Sequence, residues 1–166
     1  MPKDANHAAP QYPGDPRHPE HREYLYELGA AVYAARRLDL AAFDLLRVHE
    51  GVRSAELYDD TLGRLLNRLR DAQAQGAALP DLDVFLGELD RAREARNDLM
   101  HALPVQNGLY RRRRNDPGCI VEFFTLESLR DVRSLFDAVA RKGNGLLYFD
   151  GGRAVKAWLK LPPSQV

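Results

Sequence analysis

Between Glu20 and His49 the chain runs without a proline, and Leu25, Leu28, Val32, Ala35, Leu38, Ala42, Leu45 and Leu46 recur at helical spacing. Such a stripe predicts one long amphipathic helix, and a helix with one apolar face has to bury it against other elements. Pro19 suits the first helical position, where its missing N–H is no loss, and Glu20 and Glu23 complement the positive end of the helix dipole. Gly51 supplies a stop. Gly29, inside the stripe, is a mild cost that close packing against a neighbour would explain. Upstream, Pro2, Pro10, Pro13, Pro16 and Pro19 stand among small and polar residues. That proline density breaks any helical period, so residues 1–19 are expected to be a disordered tail.

Two more helices follow from the same periodicity. Ser54-Ala55-Glu56 reads as a helix start, Leu57, Leu62, Leu65, Leu66 and Leu69 as its apolar stripe, and Gln73-Ala74-Gln75-Gly76 as its end. Asp81 is placed to cap a third helix. Its buried side is expected to carry Val84, Phe85, Leu86, Leu89, Ala92, Ala95, Leu99, Met100 and Leu103, with Pro104 stopping it at Leu103.

The pattern then changes. Leu109–Arg113 and Cys119–Phe124 flank the turn-rich Arg114-Asn115-Asp116-Pro117-Gly118 and read as a β-hairpin. Thr125 would cap a fourth helix with Leu126, Leu129, Val132, Leu135, Phe136 and Val139 inside, ended by Gly143-Asn144-Gly145. Leu146–Phe149 and Ala154–Trp158 around Asp150-Gly151-Gly152 form a second hairpin candidate. The expected fold is therefore mainly α: an antiparallel helical bundle with one or two small β-hairpins in its C-terminal part. It occupies residues 20–161 as one domain, with a short tail at 162–166.

Composition narrows the function classes. Lysine plus arginine and aspartate plus glutamate number 24 each, so there is no global positive field to grip nucleic acid. Cys119 is the lone cysteine, which rules out an intramolecular disulfide framework and a thiolate zinc site. His7, His18 and His21 do not form a metal-ligand pattern. No apolar run approaches the roughly 18–20 residues of a membrane span, nor does the N-terminus read as a secretory signal. A reducing cytoplasm is the expected setting, with no membrane partner and no cofactor.

The segment with chemical content is Arg96-Asn97-Asp98-Leu99-Met100-His101, late on the third helix. At about 100° per residue, Asn97 and His101 share a face, while Arg96 stands about 140° from His101. One copy makes a sparse site. Two copies about a two-fold axis would bring two arginines, two asparagines and two histidines into one groove. Histidine moves protons near neutral pH, and arginine holds phosphate with forked donors and stabilises charge on its oxygens. Those are the needs of phosphodiester cleavage without a metal. The structural alternative has Arg96 and Asn97 solvated and His101 capping the helix beside Leu99 and Met100.

This hexapeptide resembles the signature of HEPN-domain proteins: arginine, a polar residue that is often asparagine, three further residues, then histidine. Two long helices precede the motif in a similar layout, with Tyr58–Leu66 opening the second, and the likeness covers roughly residues 20–140. It implies a helical, usually dimeric domain, often an RNA endonuclease of toxin–antitoxin, abortive-infection or other defence systems, with an antitoxin or defence-complex partner. Many members are instead non-catalytic RNA-binding or protein-interaction modules. Carried over, Arg96, Asn97 and His101 would be catalytic. Toxins paired with a nucleotidyltransferase usually have tyrosine two positions after the histidine; here it is Leu103, so modification of that tyrosine is not implied. Beside the motif, Arg93 and the run Arg111, Arg112 and Arg113 are candidates for RNA phosphates. The hairpin arginines read equally as a solvated, alternating strand face. Tyr110 would stack on a base or pack as a half-buried strand aromatic.

Overall fold

The computed structural model describes residues 19–50, 59–75, 81–105, 108–113 and 116–148. They form α1 (Pro19–Glu50), α2 (Leu62–Ala74), α3 (Leu82–Met100), β1 (Leu103–Val105), β2 (Gly108–Arg113), β3 (Asp116–Phe124) and α4 (Leu126–Leu147). The periodicity thus yields the mainly helical fold with a small antiparallel sheet. Of the N-terminal tail expected over 1–19, Pro19 belongs to α1, and residues 1–18, the tail at 162–166, Ser54, Leu57 and the 154–158 arm of the second hairpin candidate lie outside the described residues. Among the described residues no helix is long and apolar enough to cross a membrane.

The buried side of α1 is rich in alanine. Ala31, Ala34, Ala35, Leu38, Ala42, Leu45 and Leu46 are almost wholly buried. Small side chains let a second helix come close, and α1 packs most extensively on α4. Leu129, Phe136, Val139 and Ala140 of α4 fill the other side, with Leu62, Leu65, Leu66 and Leu69 of α2 and Phe85, Leu86, Leu89 and Leu99 of α3 completing one core. Each buried leucine or phenylalanine contributes about 1.5–3 kcal/mol of apolar transfer. Contacts step up α1 and α4 together: Glu27 with Arg133, Arg37 with Asp137, and Ala41 beneath Gly143. These two helices therefore run side by side in one direction. By contrast, Gly63 lies near Arg93 and Arg70 pairs with Asp90, so α2 and α3 are antiparallel.

The sheet has the order β1-β2-β3, with Leu103 opposite Tyr110 and Leu109 opposite Phe124. Its register becomes irregular between Arg111 and Arg113. The Tyr24 hydroxyl donates to the Phe124 carbonyl at 2.9 Å, which ties the early part of α1 to the end of β3.

Several local expectations are corrected. The second helix does not run on from Ser54: Asp59, Asp60 and Thr61 are not helical, and the Thr61 side chain caps α2 by accepting from the Arg64 N–H. Asp81 precedes α3 in a left-handed conformation (φ 59°) and makes no side-chain cap. The third helix ends at Met100, not Leu103, because Leu103-Pro104-Val105 pairs with β2; proline also favours an extended residue before it. Val84, Met100 and Leu103 are exposed rather than buried. Gly143-Asn144-Gly145 does not end α4, which continues to Leu147, so Leu146 and Leu147 are helical rather than a hairpin arm. Thr125 does cap α4, accepting from the Ser128 N–H.

The closely packed glycine is Gly143, not Gly29. A Cβ on Gly29 would meet nothing within 4 Å, whereas one on Gly143 would lie 2.9 Å from the Ala41 Cβ and 3.1 Å from the Phe85 ring.

Candidate functional site

The last turn of α3 is anchored by Leu89, Ala92 and Leu99, which are buried. That leaves Arg96, Asn97 and Asp98 half-buried and His101 exposed. His101 is the C-cap: its N–H donates to the Asn97 carbonyl at 3.1 Å, and Ala102 N–H donates to the Leu99 carbonyl at 3.2 Å. The first of these bonds carries the helical register through to His101. Asn97 and His101 therefore keep the shared face that their spacing predicts. The tighter second bond turns the chain toward β1.

Arg96 is engaged from α1. Its Nη2 donates to Asp39 Oδ2 at 3.3 Å, and the same oxygen accepts from Arg36 Nη1 at 2.7 Å. One carboxylate thus serves two guanidiniums, leaving a local excess of one positive charge. Arg96 Nε and Asp39 Oδ1 are buried without a hydrogen-bond partner among the described residues. Leaving a buried polar atom unpaired costs about 1–3 kcal/mol, so this ion pair is under-satisfied where it stands. Asp39 and Arg36 were not legible as site residues, because 57 positions separate Asp39 from Arg96. The only sequence signal was their i, i+3 spacing on α1.

Of the basic candidates, Arg111 is brought to the site. β2 returns alongside the end of α3, and Arg111 Nε donates to Asp98 Oδ1 at 3.4 Å. Arg93 points to a different job. It pairs with Asp90 at 2.7 Å and with Glu94 at 3.5 Å, while Arg70 of α2 grips the same Asp90 at 2.8 Å. Hydrogen bonds from Arg70 and then Arg93 hold the Asp90 carboxyl below the usual carboxylate range. Arg112 and Arg113 lie in β2, opposite Ile120 and Asp116, but their side chains are outside the described residues. Tyr110 is half-buried. Among the described residues no group of three or more His, Cys, Asp or Glu side chains is arranged to hold a metal ion.

The end of α3 therefore offers an exposed imidazole, an amide on the same face, and two arginines each bound to an aspartate of the same chain. An excess cation favours an anionic ligand, and histidine can give or take its proton. No family model, curated protein or solved structure matches the chain.

Proposed function

We propose that this chain is a HEPN-like, metal-independent RNA endonuclease whose site forms where the α3 ends of two copies share one groove. The supporting observation is that His101 is exposed beside Asn97 while Arg96 shares the single carboxylate of Asp39 with Arg36. In this reading one His101 takes the proton of a ribose 2′-hydroxyl and the other protonates the departing 5′-oxygen. The 2′-oxygen bonds to phosphorus as the bond from phosphorus to the 5′-oxygen breaks. The products are a 2′,3′-cyclic phosphate and a 5′-hydroxyl. Arg96 steadies the charge that builds on the phosphoryl oxygens, and Asn97 orients the imidazole or the substrate. Arg111 extends the phosphate track from β2. The setting that goes with this activity is the cytoplasm, with a toxin–antitoxin or anti-phage defence partner.

One observation favours a second reading, a non-catalytic RNA-binding or protein-interaction module. Arg96 already has a carboxylate partner, so a phosphate must compete with Asp39 for it. Incubating mixed RNA in EDTA with wild type, Arg96→Ala and His101→Ala separates the two. The enzyme cleaves RNA and both variants lose that activity. An inert wild type that still retards RNA on a gel supports the module, and equal cleavage by all three proteins removes the site assignment.

A further inference from the structure

The solvent side of α1 carries apolar residues that the core does not use. Tyr26, Tyr33 and Leu40 are 69%, 70% and 52% exposed and stand seven residues apart. At about 100° per residue a seven-residue step drifts only about 20°, so all three lie within a sector of about 40°. This is the spacing of a helix seam, set on the side opposite the alanine-rich face that packs on α4. Between these residues sit Gly29 and Ala30, then Arg36 and Arg37.

We propose that this stripe is an interface with a second copy of the same chain, formed by two α1 helices packed antiparallel about a two-fold axis through Tyr33. That register sets Tyr26 of each copy opposite Leu40 of the other, and is the one antiparallel register in which all three apolar residues meet apolar partners. It places Gly29 and Ala30 opposite Arg37 and Arg36. A Cβ on Gly29 would meet nothing within 4 Å among the described residues of its own chain, which leaves space beside the helix backbone for the arginine stem of the other copy. The outer ends match in charge, with Arg22 opposite Asp44 at both ends of the seam. Asp44 is half-buried, and burial pushes its carboxyl above the ordinary range even with Arg47 3.5 Å away. Of the central arginines, Arg37 is neutralised at home by Asp137 at 2.7 Å, while Arg36 shares Asp39 with Arg96. Like charges near the axis are therefore only partly offset within each copy.

The seam stands on α1 alone and holds whether or not RNA is cleaved. Its register sets the Asp39 residues of the two copies about 18 Å apart along the helices, so the seam is a contact separate from the shared α3 groove of the ribonuclease reading.

Cysteine cross-linking of the full chain in a Cys119→Ser background, with diamide as oxidant, tests the register. Residues on the axis meet their own counterparts, whereas Tyr26 stands about 21 Å along the helix from Tyr26 of the other copy. Tyr33→Cys is expected to form a covalent dimer. Tyr26→Cys and Leu40→Cys are expected to stay monomeric alone and to cross-link when mixed. Sedimentation supplies the second readout: Tyr33→Arg weakens the dimer about 30-fold or more, with an unchanged circular dichroism spectrum because Tyr33 is exposed within its own chain. A wild type that stays monomeric at all concentrations overturns the proposal. So does cross-linking of Tyr26→Cys by itself, which marks a parallel pair, or a dimer indifferent to Tyr33→Arg. Loss of RNA cleavage with intact Tyr33→Cys cross-linking counts against the ribonuclease reading only.

Discussion

The α1–α4 seam and the end of α3 are built from similar polar residues but treat them differently. In the seam, Arg37 meets Asp137 at 2.7 Å, and Glu27 lies between Arg133 at 3.0 Å and Arg130 at 3.7 Å; beside it, Tyr24 donates to the Phe124 carbonyl at the end of β3. Glu27 Oε2 misses hydrogen-bond alignment there, yet its charge is matched by cations of the facing helix. At the end of α3 the contacts are longer, 3.3 Å for Arg96 and 3.4 Å for Arg111, and a donor and an acceptor are left over on Arg96 and Asp39. With Glu23 taking Arg130, the seam's cations and carboxylates balance in charge. The α3 end has an excess cation and an exposed histidine. The same ion-pair chemistry reads as scaffold where the charges balance and as a site where they do not.

Substitutions should divide along that line. The largest effect is expected at the α3 end: His101→Ala lowers RNA cleavage about 100-fold or more while leaving Tm unchanged, because the side chain is exposed. Initial rates with a fluorogenic RNA, alongside thermal melts, check both halves. A large fall in Tm would make His101 structural and erase the contrast.

Next comes the seam. Gly143→Val drives side-chain atoms into Ala41 and Phe85 and is expected to destabilise by about 2–3 kcal/mol in urea unfolding. Gly145→Ala, where a Cβ meets nothing within 4 Å, should instead stabilise by up to about 1 kcal/mol, since alanine is the better helix former.

A smaller, pH-dependent effect belongs to Tyr24. Burial raises its pKa to about 12, against an opposing hydrogen bond from the Leu109 backbone. The unfolded chain loses this proton near pH 10, while the folded chain keeps it to about pH 12. The stabilising contribution is therefore complete below pH 10 and is lost as pH rises toward 12, a fall of about 2–3 kcal/mol at most. The difference in stability between wild type and Tyr24→Phe, followed across that range, isolates it. The smallest effect is expected at Asp90, whose partners are surface arginines. Asp90→Asn should cost about 0.2–1 kcal/mol, less in high salt.

What the sequence made legible was whatever its local pattern decides. The Leu38–Leu46 stripe, the leucines of α2 and the Thr125 cap all follow from spacing and neighbouring residue types. The errors arise where a distant segment decides. Leu103 looked helical until its strand partner Tyr110 was in place. Gly143 looked like a stop, but Ala41 and Phe85 make it a contact point inside α4. Asp81 has the residue type of a cap, yet its left-handed backbone leaves it no side-chain cap bond. At the candidate site, the shared face of Asn97 and His101 was legible because it is a helix interval. The hold of Asp39 on Arg96 was not. The Tyr26, Tyr33 and Leu40 stripe is not legible from the core pattern because it lies off the buried periodicity of α1.

The most direct test of the proposed activity is to map the ends left by the purified chain on a defined RNA in EDTA, beside the same oligonucleotide with 2′-deoxyribose throughout. The account predicts a 2′,3′-cyclic phosphate and a 5′-hydroxyl on the RNA, and no cleavage of the deoxy strand. Cleavage of both strands, or none of either, would contradict it.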